Sequence, residues 1–250
     1  CGFDVLDFGS FVSPKAIPQM ADTAEVLAGL DLSNTSTKLL AIIANERGAQ
    51  EASSHERISV LGYPFSISET FQKRNTNHSL DASMKLMEEV SKICEQNKKQ
   101  LRVYLSMGFG NPYGDPWSED LLCTWVNRLN THFPIHDFAL SDTIAVATDA
   151  QCSTLFHSLF KHFPKQTFSA HFHVVPGQEQ KLIQAAYEAG CQYFDTAIGG
   201  FGGCPMAKDE LTGNLSTESL LAFMQTQQIE CHLDINAFEK ARIISQTIFH

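Results

Sequence analysis

The 250-residue chain lacks several features that would place it in common protein classes. No apolar run approaches the ~18 residues that a membrane-spanning helix needs, so a membrane protein is not expected. Positive charge is scarce: the chain has 18 Lys and Arg residues against 28 Asp and Glu residues, and its net charge is -10. An acidic surface repels phosphate backbones, which argues against nucleic acid as a partner. No GxGxxG fingerprint follows an early strand, which argues against a dinucleotide-binding sheet.

Paired cysteines and targeting signals are also missing. The seven cysteines are an odd number and never form a CxxC pair, which predicts reduced thiols that are mostly buried as small apolar residues. Reduced thiols are typical of the cytosol, so a cytoplasmic protein is expected, and no signal peptide is recognisable. The sequence has no initiator Met, and strand-like sequence starts at Phe3, so we expect the natural chain to begin upstream of Cys1.

Short β-rich runs alternate with amphipathic helical segments along the whole chain. Ser79 and Ser118 precede apolar stripes with three- and four-residue spacing and Gly190 follows one, which are typical helix start and stop signals. This alternation predicts parallel strands joined by helical crossovers. The strand candidates are Phe3–Phe8, Lys38–Ala44, Ile58–Tyr63, Leu101–Met107, Asp137–Leu140, Phe168–His173 and Tyr193–Ile198.

Two architectures fit this alternation: an open doubly wound sheet and a closed (β/α)₈ barrel. Polar residues at the ends of several different strands favour the barrel, which gathers such residues around one mouth. A barrel needs eight strands and seven are visible, so the prediction is an α/β fold, a (β/α)₈ TIM barrel whose first βα unit lies before Cys1. Residues 1–250 would form one catalytic domain, incomplete at its N-terminus. Its open sheet edges could pair two copies in a homodimer.

The sharpest local signal is the segment His171-Phe172-His173 at the end of a strand candidate. Residues two apart in a strand point to the same face, so both imidazoles would face the barrel interior, where they could share a divalent ion. Spacing alone still favours the alternative, a pair of hydrogen-bonded core histidines. Asp142, which closes the preceding strand, could add a carboxylate, and capping of the following turn is an equal alternative.

A glycine-rich loop follows the last strand candidate as Gly199-Gly200-Phe201-Gly202-Gly203-Cys204-Pro205. Such a backbone can approach a ligand closely, and a phosphate, an acylated cofactor or a closing lid would each fit. Cys204 could be reactive there, although a structural role is commoner for a lone loop cysteine. The amide oxygen of Asn214 could be a hard metal ligand, but Gly-Asn is mostly turn chemistry.

Six segments occur in an order known from one enzyme family. They are SFVSPKAIPQM (10–20), SETFQKRNTN (68–77), SDTI (141–144), HFH (171–173), GGFGGCPMA (199–207) and TGNLSTE (212–218). Over residues 1 to about 225 the chain resembles the 3-hydroxy-3-methylglutaryl-CoA (HMG-CoA) lyases, which are DRE-type TIM-barrel metallolyases. The SFVSPK and GGCP segments are fairly specific to this branch, whereas Claisen-condensing synthases share the HxH pair.

The resemblance implies cleavage of HMG-CoA to acetyl-CoA and acetoacetate, a step of leucine degradation, with Mg²⁺ or Mn²⁺ as cofactor and an acyl-CoA as the small-molecule substrate. The metal ligands that it carries over are His171, His173 and Asn214. The catalytic residues that it carries over are His171, Asp142, Cys204 and Asp7, with Cys204 helping to protonate the departing enolate. The residues that it assigns to the bound acyl-CoA are Ser10, Lys73 and Asn75.

The sequence departs from the family pattern at three places. The family's Arg-Asp pair would precede Cys1 and is absent, and loss of such oxyanion and metal contacts commonly costs orders of magnitude in rate. The chain as given could therefore be inactive. Asp7 stands where the family has glutamate, and Val174-Val175-Pro176 replaces the usual Asp-Thr after the histidines. The alternatives are a Claisen-condensing synthase of the same superfamily and a non-catalytic barrel that binds a metal or a partner.

Overall fold

The computed structural model describes residues 1–203 and 212–249, which form a parallel sheet flanked by helices. The strands are β1 (Val5–Ser10), β2 (Lys38–Ile42), β3 (Ile58–Ser66), β4 (Gln100–Ser106), β5 (Asp137–Asp142), β6 (Thr167–Val174), β7 (Tyr193–Asp195) and β8 (Gly213–Asn214). The helices are α1 (Thr23–Gly29), α2 (Glu46–Ser54), α3 (Glu69–Thr76), α4 (Leu80–Gln96), α5 (Glu119–His132), α6 (Asp149–His162), α7 (Glu179–Glu188), α8 (Thr217–Thr226) and α9 (Ile235–Ile248).

The strand order decides between the two architectures that the sequence allowed. β1 to β7 are hydrogen-bonded to one another in sequence order, and all six pairings are parallel. A doubly wound sheet reverses its strand order at a switch point, whereas a (β/α) barrel keeps it. The barrel-type α/β prediction is therefore confirmed. Within the described residues no pairing joins β1 to β7, so these two strands are the edges.

The sheet curls strongly, and one ion pair shows how far. Arg102 on β4 places Nη2 2.6 Å from Oδ1 of Asp195 at the end of β7. In a flat sheet, three strand spacings of ~4.8 Å would separate these strands by about 14 Å. The contact is possible only because the sheet bends into an incomplete barrel with the two side chains on its inner face.

Several strand boundaries differ from the sequence prediction. β7 ends at Asp195 instead of Ile198, because the chain turns at Ile198–Gly200 with Gly199 and Gly200 both at φ 68°. β1 runs two residues later than expected, over Val5–Ser10. The two-residue strand β8 was not predicted at all, and it pairs antiparallel with the end of β6.

The helix signals read from the sequence are confirmed by the structure. Ser79 Oγ accepts the Ala82 amide at 3.1 Å and Ser118 Oγ accepts the Leu121 amide at 3.0 Å, so both serines cap their helices. Gly190 adopts φ 104° just after α7, a conformation that favours glycine. None of the helices within the described residues is long and apolar enough to cross a bilayer.

Phe172 lies between the two histidines in sequence and points the opposite way, into the layer between the sheet and the helices. Its ring centroid is 5.6 Å from that of Phe109 and 6.5 Å from that of Phe156, and the side chain is fully buried. This packing fixes the rotation of β6 about its axis, and thereby the face that His171 and His173 present.

Phe172→Ala is expected to lower the free energy of unfolding by about 3–5 kcal/mol, because a buried aromatic ring leaves a cavity that the surroundings cannot fill. Urea unfolding followed by circular dichroism measures this loss. Ile244→Ala on α9 is the matched control, since Ile244 is 59% exposed and should change stability by no more than about 0.5 kcal/mol. Equal losses in the two variants would contradict the packing argument.

Candidate functional site

The inner face of β6 presents two imidazoles side by side. The ring centroids of His171 and His173 are 5.8 Å apart. His173 is only 4% exposed, and its Nδ1 has no hydrogen-bond partner in the described part of the chain. Burial and, second, the nearby charge of His171 lower the pKa of His173 to about 4. A neutral imidazole with an unpartnered nitrogen suits a metal ligand better than a satisfied core histidine.

Asn214 is brought to the same place by the short strand β8. Antiparallel pairing sets Asn214 directly opposite His173. The side-chain Nδ2 donates a 2.8 Å hydrogen bond to the carbonyl oxygen of Phe201, so Oδ1, the atom suited to a hard cation, points away from that carbonyl. Two imidazoles and one amide thus meet at the carboxyl end of β6, and these donors fit a divalent ion. Over residues 1–203 and 212–249, no group of three or more His, Cys, Asp and Glu side chains is arranged as a metal site.

A buried ion pair supports this face, and the sequence analysis missed it. His171 Nδ1 lies 3.0 Å from Asp195 Oδ2, and Arg102 Nη2 donates to both oxygens of the same carboxylate. Burial, the largest influence, would raise the pKa of Asp195, but the Arg102 charge and the contacts with His171 and Arg102 outweigh it, so the pKa lies below 3.8. A signal existed: arginine in the middle of an apolar strand, alternating with Tyr104 and Ser106, is rare unless it is paired.

Asp7 on β1 belongs to the same inner face. The pKa of Asp7 is raised to about 7. Loss of hydration among the strands is the largest cause, and the negative charge of Asp195 is the second. The side chain is nevertheless accessible from the open side of the sheet, where β1 is an edge. A carboxyl group with a pKa near neutrality is suited to general acid–base work.

Asp142 is buried and engaged by the turn that follows β5. Its Oδ1 accepts the Ile144 amide at 3.2 Å and its Oδ2 accepts the Ala147 amide at 2.7 Å. Burial raises the pKa of this carboxyl against the effect of those hydrogen bonds. The geometry is that of the turn-capping alternative, and the catalytic role of Asp142 remains a prediction.

The other predicted site residues lie outside this cluster. Ser10 is buried, and its hydroxyl group donates to Ile42 O and accepts the Val12 amide, both at 3.3 Å. Lys73 and Asn75 are exposed on α3, and Lys73 pairs with Glu69 at 2.8 Å. Cys204 lies outside the described residues, so its predicted role is not tested by the structure.

A cleft of about 440 Å³ opens at the opposite end of the sheet, lined by residues such as Lys38, Glu56 and Lys99. The Lys99 ammonium is already bound by the carbonyl oxygens of His55 at 2.9 Å and Ile58 at 2.7 Å. Because active sites of parallel barrels lie at the carboxyl ends of the strands, this cleft at their amino ends is not the candidate site.

The fold and the site together define a class: a curled parallel α/β barrel with paired histidines at the strand ends. Within this class the chain belongs to the HMGL-like family, whose model matches residues 2–244. It is 32% identical over 240 residues to 3-hydroxy-3-isohexenylglutaryl-CoA/hydroxy-methylglutaryl-CoA lyase of Pseudomonas aeruginosa, covering 96% of this chain and 79% of that protein. It is 31% identical to hydroxymethylglutaryl-CoA lyase YngG of Bacillus subtilis, covering 94% and 77%.

Solved structures agree with this membership. An HMG-CoA lyase from Acinetobacter baumannii, in complex with coenzyme A and 3-methylmalate, matches with a TM-score of 0.88 and 30% identity over 96% of this chain and 77% of that chain. The HMG-CoA lyase from Brucella melitensis matches with a TM-score of 0.90 and 26% identity over 99% and 86%. Among the relatives in animals, some are named cytoplasmic and others mitochondrial.

Proposed function

We propose that this chain is a carbon–carbon lyase that cleaves HMG-CoA to acetyl-CoA and acetoacetate, with Mg²⁺ or Mn²⁺ held by His171, His173 and Asn214. The observation that carries the proposal is the Nδ1 of buried His173, which has no hydrogen-bond partner among the described residues and belongs to a side chain on the same face as His171 and opposite Asn214. The lyase names of the relatives support the substrate class. We place the activity in the cytoplasm and in leucine degradation.

An ion held by His171, His173 and Asn214 would supply Lewis-acid polarisation of the substrate's oxygen atoms. Asp7 is one candidate to accept the hydroxyl proton, because its raised pKa of about 7 suits general acid–base work at neutral pH. His173 stays neutral there and keeps its nitrogen for a ligand. His171 and Asp142 are the other candidates for handling this proton, and Cys204 is the proposed donor to the departing enolate.

We assign the acyl-CoA to the region of buried Ser10 and of the exposed residues Lys73 and Asn75. Lys73 carries an exposed ammonium group that can attract coenzyme A phosphates, although it must first leave its surface pair with Glu69, a contact worth at most about 1 kcal/mol. The coenzyme A bound to the Acinetobacter baumannii relative supports this ligand class. We propose a homodimer of this chain through β1 and β7, which are the edges of the sheet within the described residues.

The direct test incubates the metal-free protein with HMG-CoA, with and without Mn²⁺ or Mg²⁺, and measures acetyl-CoA and acetoacetate. Equal amounts of the two products that require the metal are expected. Metal binding without turnover, even when a segment carrying the family's Arg-Asp pair is supplied, would replace the lyase by the non-catalytic barrel. Product formation from an acyl-CoA and a 2-oxo acid would replace it by the condensing synthase.

A second substrate belongs in the same assay. The Pseudomonas aeruginosa relative is named for both the methyl and the isohexenyl substituted glutaryl-CoA. We propose the longer-branched acyl-CoA as a second candidate, to be compared by kcat/KM with HMG-CoA. If kcat/KM is higher for the longer-branched acyl-CoA than for HMG-CoA, the longer-branched compound becomes the proposed substrate.

A further inference from the structure

Arg102, Asp195 and His171 form a continuous hydrogen-bonded chain across the inner face, linking β4, β7 and β6. We propose that Arg102 and Asp195 are positioning residues that hold His171 in its Nδ1–H tautomer, which leaves Nε2 as the nitrogen free to bind a ligand. The tautomer depends only on the side chains of this protein and not on a bound metal. Only its use toward a metal rests on the proposed function.

The proton on His171 is placed by the chemistry of its partner. Asp195 Oδ2 lies 3.0 Å from His171 Nδ1. An ionised carboxylate can only accept hydrogen bonds, so the ring nitrogen that faces it must carry the hydrogen. A neutral imidazole has one such hydrogen, and its other nitrogen is then left with a lone pair. Ligating histidines commonly have this carboxylate arrangement behind them.

Arg102 keeps Asp195 ionised and fixed in orientation. Its Nη2 donates to Oδ1 at 2.6 Å and to Oδ2 at 2.8 Å, and it also donates to Ser169 Oγ. Asp137 Oδ2 lies 3.7 Å from Nη1 on the other side of the guanidinium. The arginine side chain is only 9% exposed, and a guanidinium does not lose its proton in proteins. The positive charge next to Asp195 is therefore permanent.

Tyr104 restrains the geometry from within the same strand as Arg102. Its ring lies 5.3 Å from the guanidinium carbon of Arg102 and 5.4 Å from the ring centroid of His171, with an interplanar angle of 80° to the imidazole. The His171 side chain is 28% exposed, so contacts of this kind are needed to stop the ring from rotating. The edge-to-face contact and the hydrogen bond to Asp195 act on the same torsion angle.

The first test needs no substitution at the ion pair. Long-range ¹H–¹⁵N correlation spectra of the metal-free full chain, with ¹⁵N-labelled histidine, report which ring nitrogen carries the hydrogen. At about pH 8, above the ordinary histidine pKa, the His171 signals should show a protonated Nδ1 and an unprotonated Nε2. His171→Gln identifies the signals by their loss. A protonated Nε2, or an even mixture of tautomers, would overturn the proposal.

The second test inverts the tautomer through Arg102. In Asp195→Asn the guanidinium should capture the amide oxygen, which turns the Asn NH₂ group toward His171. Nδ1 must then accept, so the hydrogen should move to Nε2. In the double variant Arg102→Met/Asp195→Asn the amide is free to flip and this inversion should be lost, whereas Arg102→Lys with Asp195 intact should keep the wild-type tautomer. An unchanged tautomer in Asp195→Asn would contradict the mechanism.

A structural role alone would not produce this pattern, because a merely stabilising ion pair affects folding and not the position of one hydrogen. Arg242→Gln is the matched control, since Arg242 pairs with Glu239 on the surface of α9 at 2.8 Å, and the His171 spectrum should not change. If Asp195→Asn does not fold, the wild-type tautomer and the Arg102→Lys spectrum still decide.

Metal affinity separates this proposal from the proposed function. Titration with Mn²⁺ alone should show a loss of roughly 10–100-fold in Asp195→Asn, the usual cost of removing the carboxylate behind a ligating histidine. If the wild type binds no Mn²⁺ but has the Nδ1–H tautomer, the positioning role stands and the metal assignment fails. If the tautomer inverts while the Mn²⁺ affinity is unchanged, Arg102 and Asp195 still set the tautomer, but their role in metal binding is rejected.

Discussion

His173→Gln is expected to abolish measurable Mn²⁺ binding and, with it, lyase activity. The buried Nδ1 of His173 has no protein partner in the described residues, so the substitution removes a donor that nothing else replaces. The loss should exceed the roughly 10–100-fold that removal of an outer partner costs. Isothermal titration with Mn²⁺ measures the first effect and product analysis the second. His162→Gln on α6 is the control, because that side chain hydrogen-bonds to the nearby Ser158 and contacts the Phe163 ring, outside the histidine cluster.

The same substitution should change the pH dependence of stability. The pKa of His173 is about 4 in the folded protein and near 6.5 in the unfolded chain, so the unfolded state binds more protons between these values. Stability from this group is present above pH 6.5 and is lost as the pH falls toward 4. As the pH falls over this range, the free energy of unfolding of the wild type should therefore decrease by on the order of 3 kcal/mol more than that of His173→Gln. Urea unfolding at pH 4.5, 5.5 and 7 measures this difference. If the stabilities of the two proteins change with pH in parallel, His173 is not buried in the neutral state.

Arg102→Met is expected to lower the free energy of unfolding by about 3–5 kcal/mol at neutral pH, because it strands the carboxylate of Asp195 inside the sheet without its main counter-charge. In the wild type the pKa of Asp195 is lowered, so its stabilising contribution is present above pH 3.8 and is lost as the pH falls below that value. In the variant, burial without Arg102 raises this pKa instead. The stability gap between the two proteins should therefore narrow as the pH falls from 8 to 5.

The double variant Arg102→Met/Asp195→Asn isolates the cause of that loss. If the penalty comes from the stranded charge, removing the charge should recover a large part of the lost stability. Chemical unfolding of the four proteins at two pH values completes the cycle. Simple additivity of the two single losses would indicate that packing of the arginine stem, and not the charge, is what matters.

The parts of the fold that follow from local pattern could be predicted from the sequence. Strand–helix alternation predicted the parallel sheet, and Ser79 and Ser118 marked helix starts that the structure confirms. The period of two in a strand placed His171 and His173 on one face. Each of these predictions depends on residues that are neighbours in sequence, for which periodicity is a direct reporter of geometry.

The parts that depend on curvature could not be predicted in this way. The ion pair between Arg102 and Asp195 joins residues 93 positions apart, and it exists only because the sheet bends. No local sequence pattern predicts how strongly a sheet curls. The environment of Asp7, which the same curvature brings under the influence of Asp195, was likewise not foreseen.

The antiparallel pairing of β8 with β6 has a consequence for how the protein can vary. Gly213 pairs with Val174 and Asn214 with His173, so backbone hydrogen bonds between β8 and β6 tie Asn214 to the strand that carries both histidines. A substitution that shifts β6 along its axis would therefore carry Asn214 with it, so the spacing between the amide and the imidazoles would be kept.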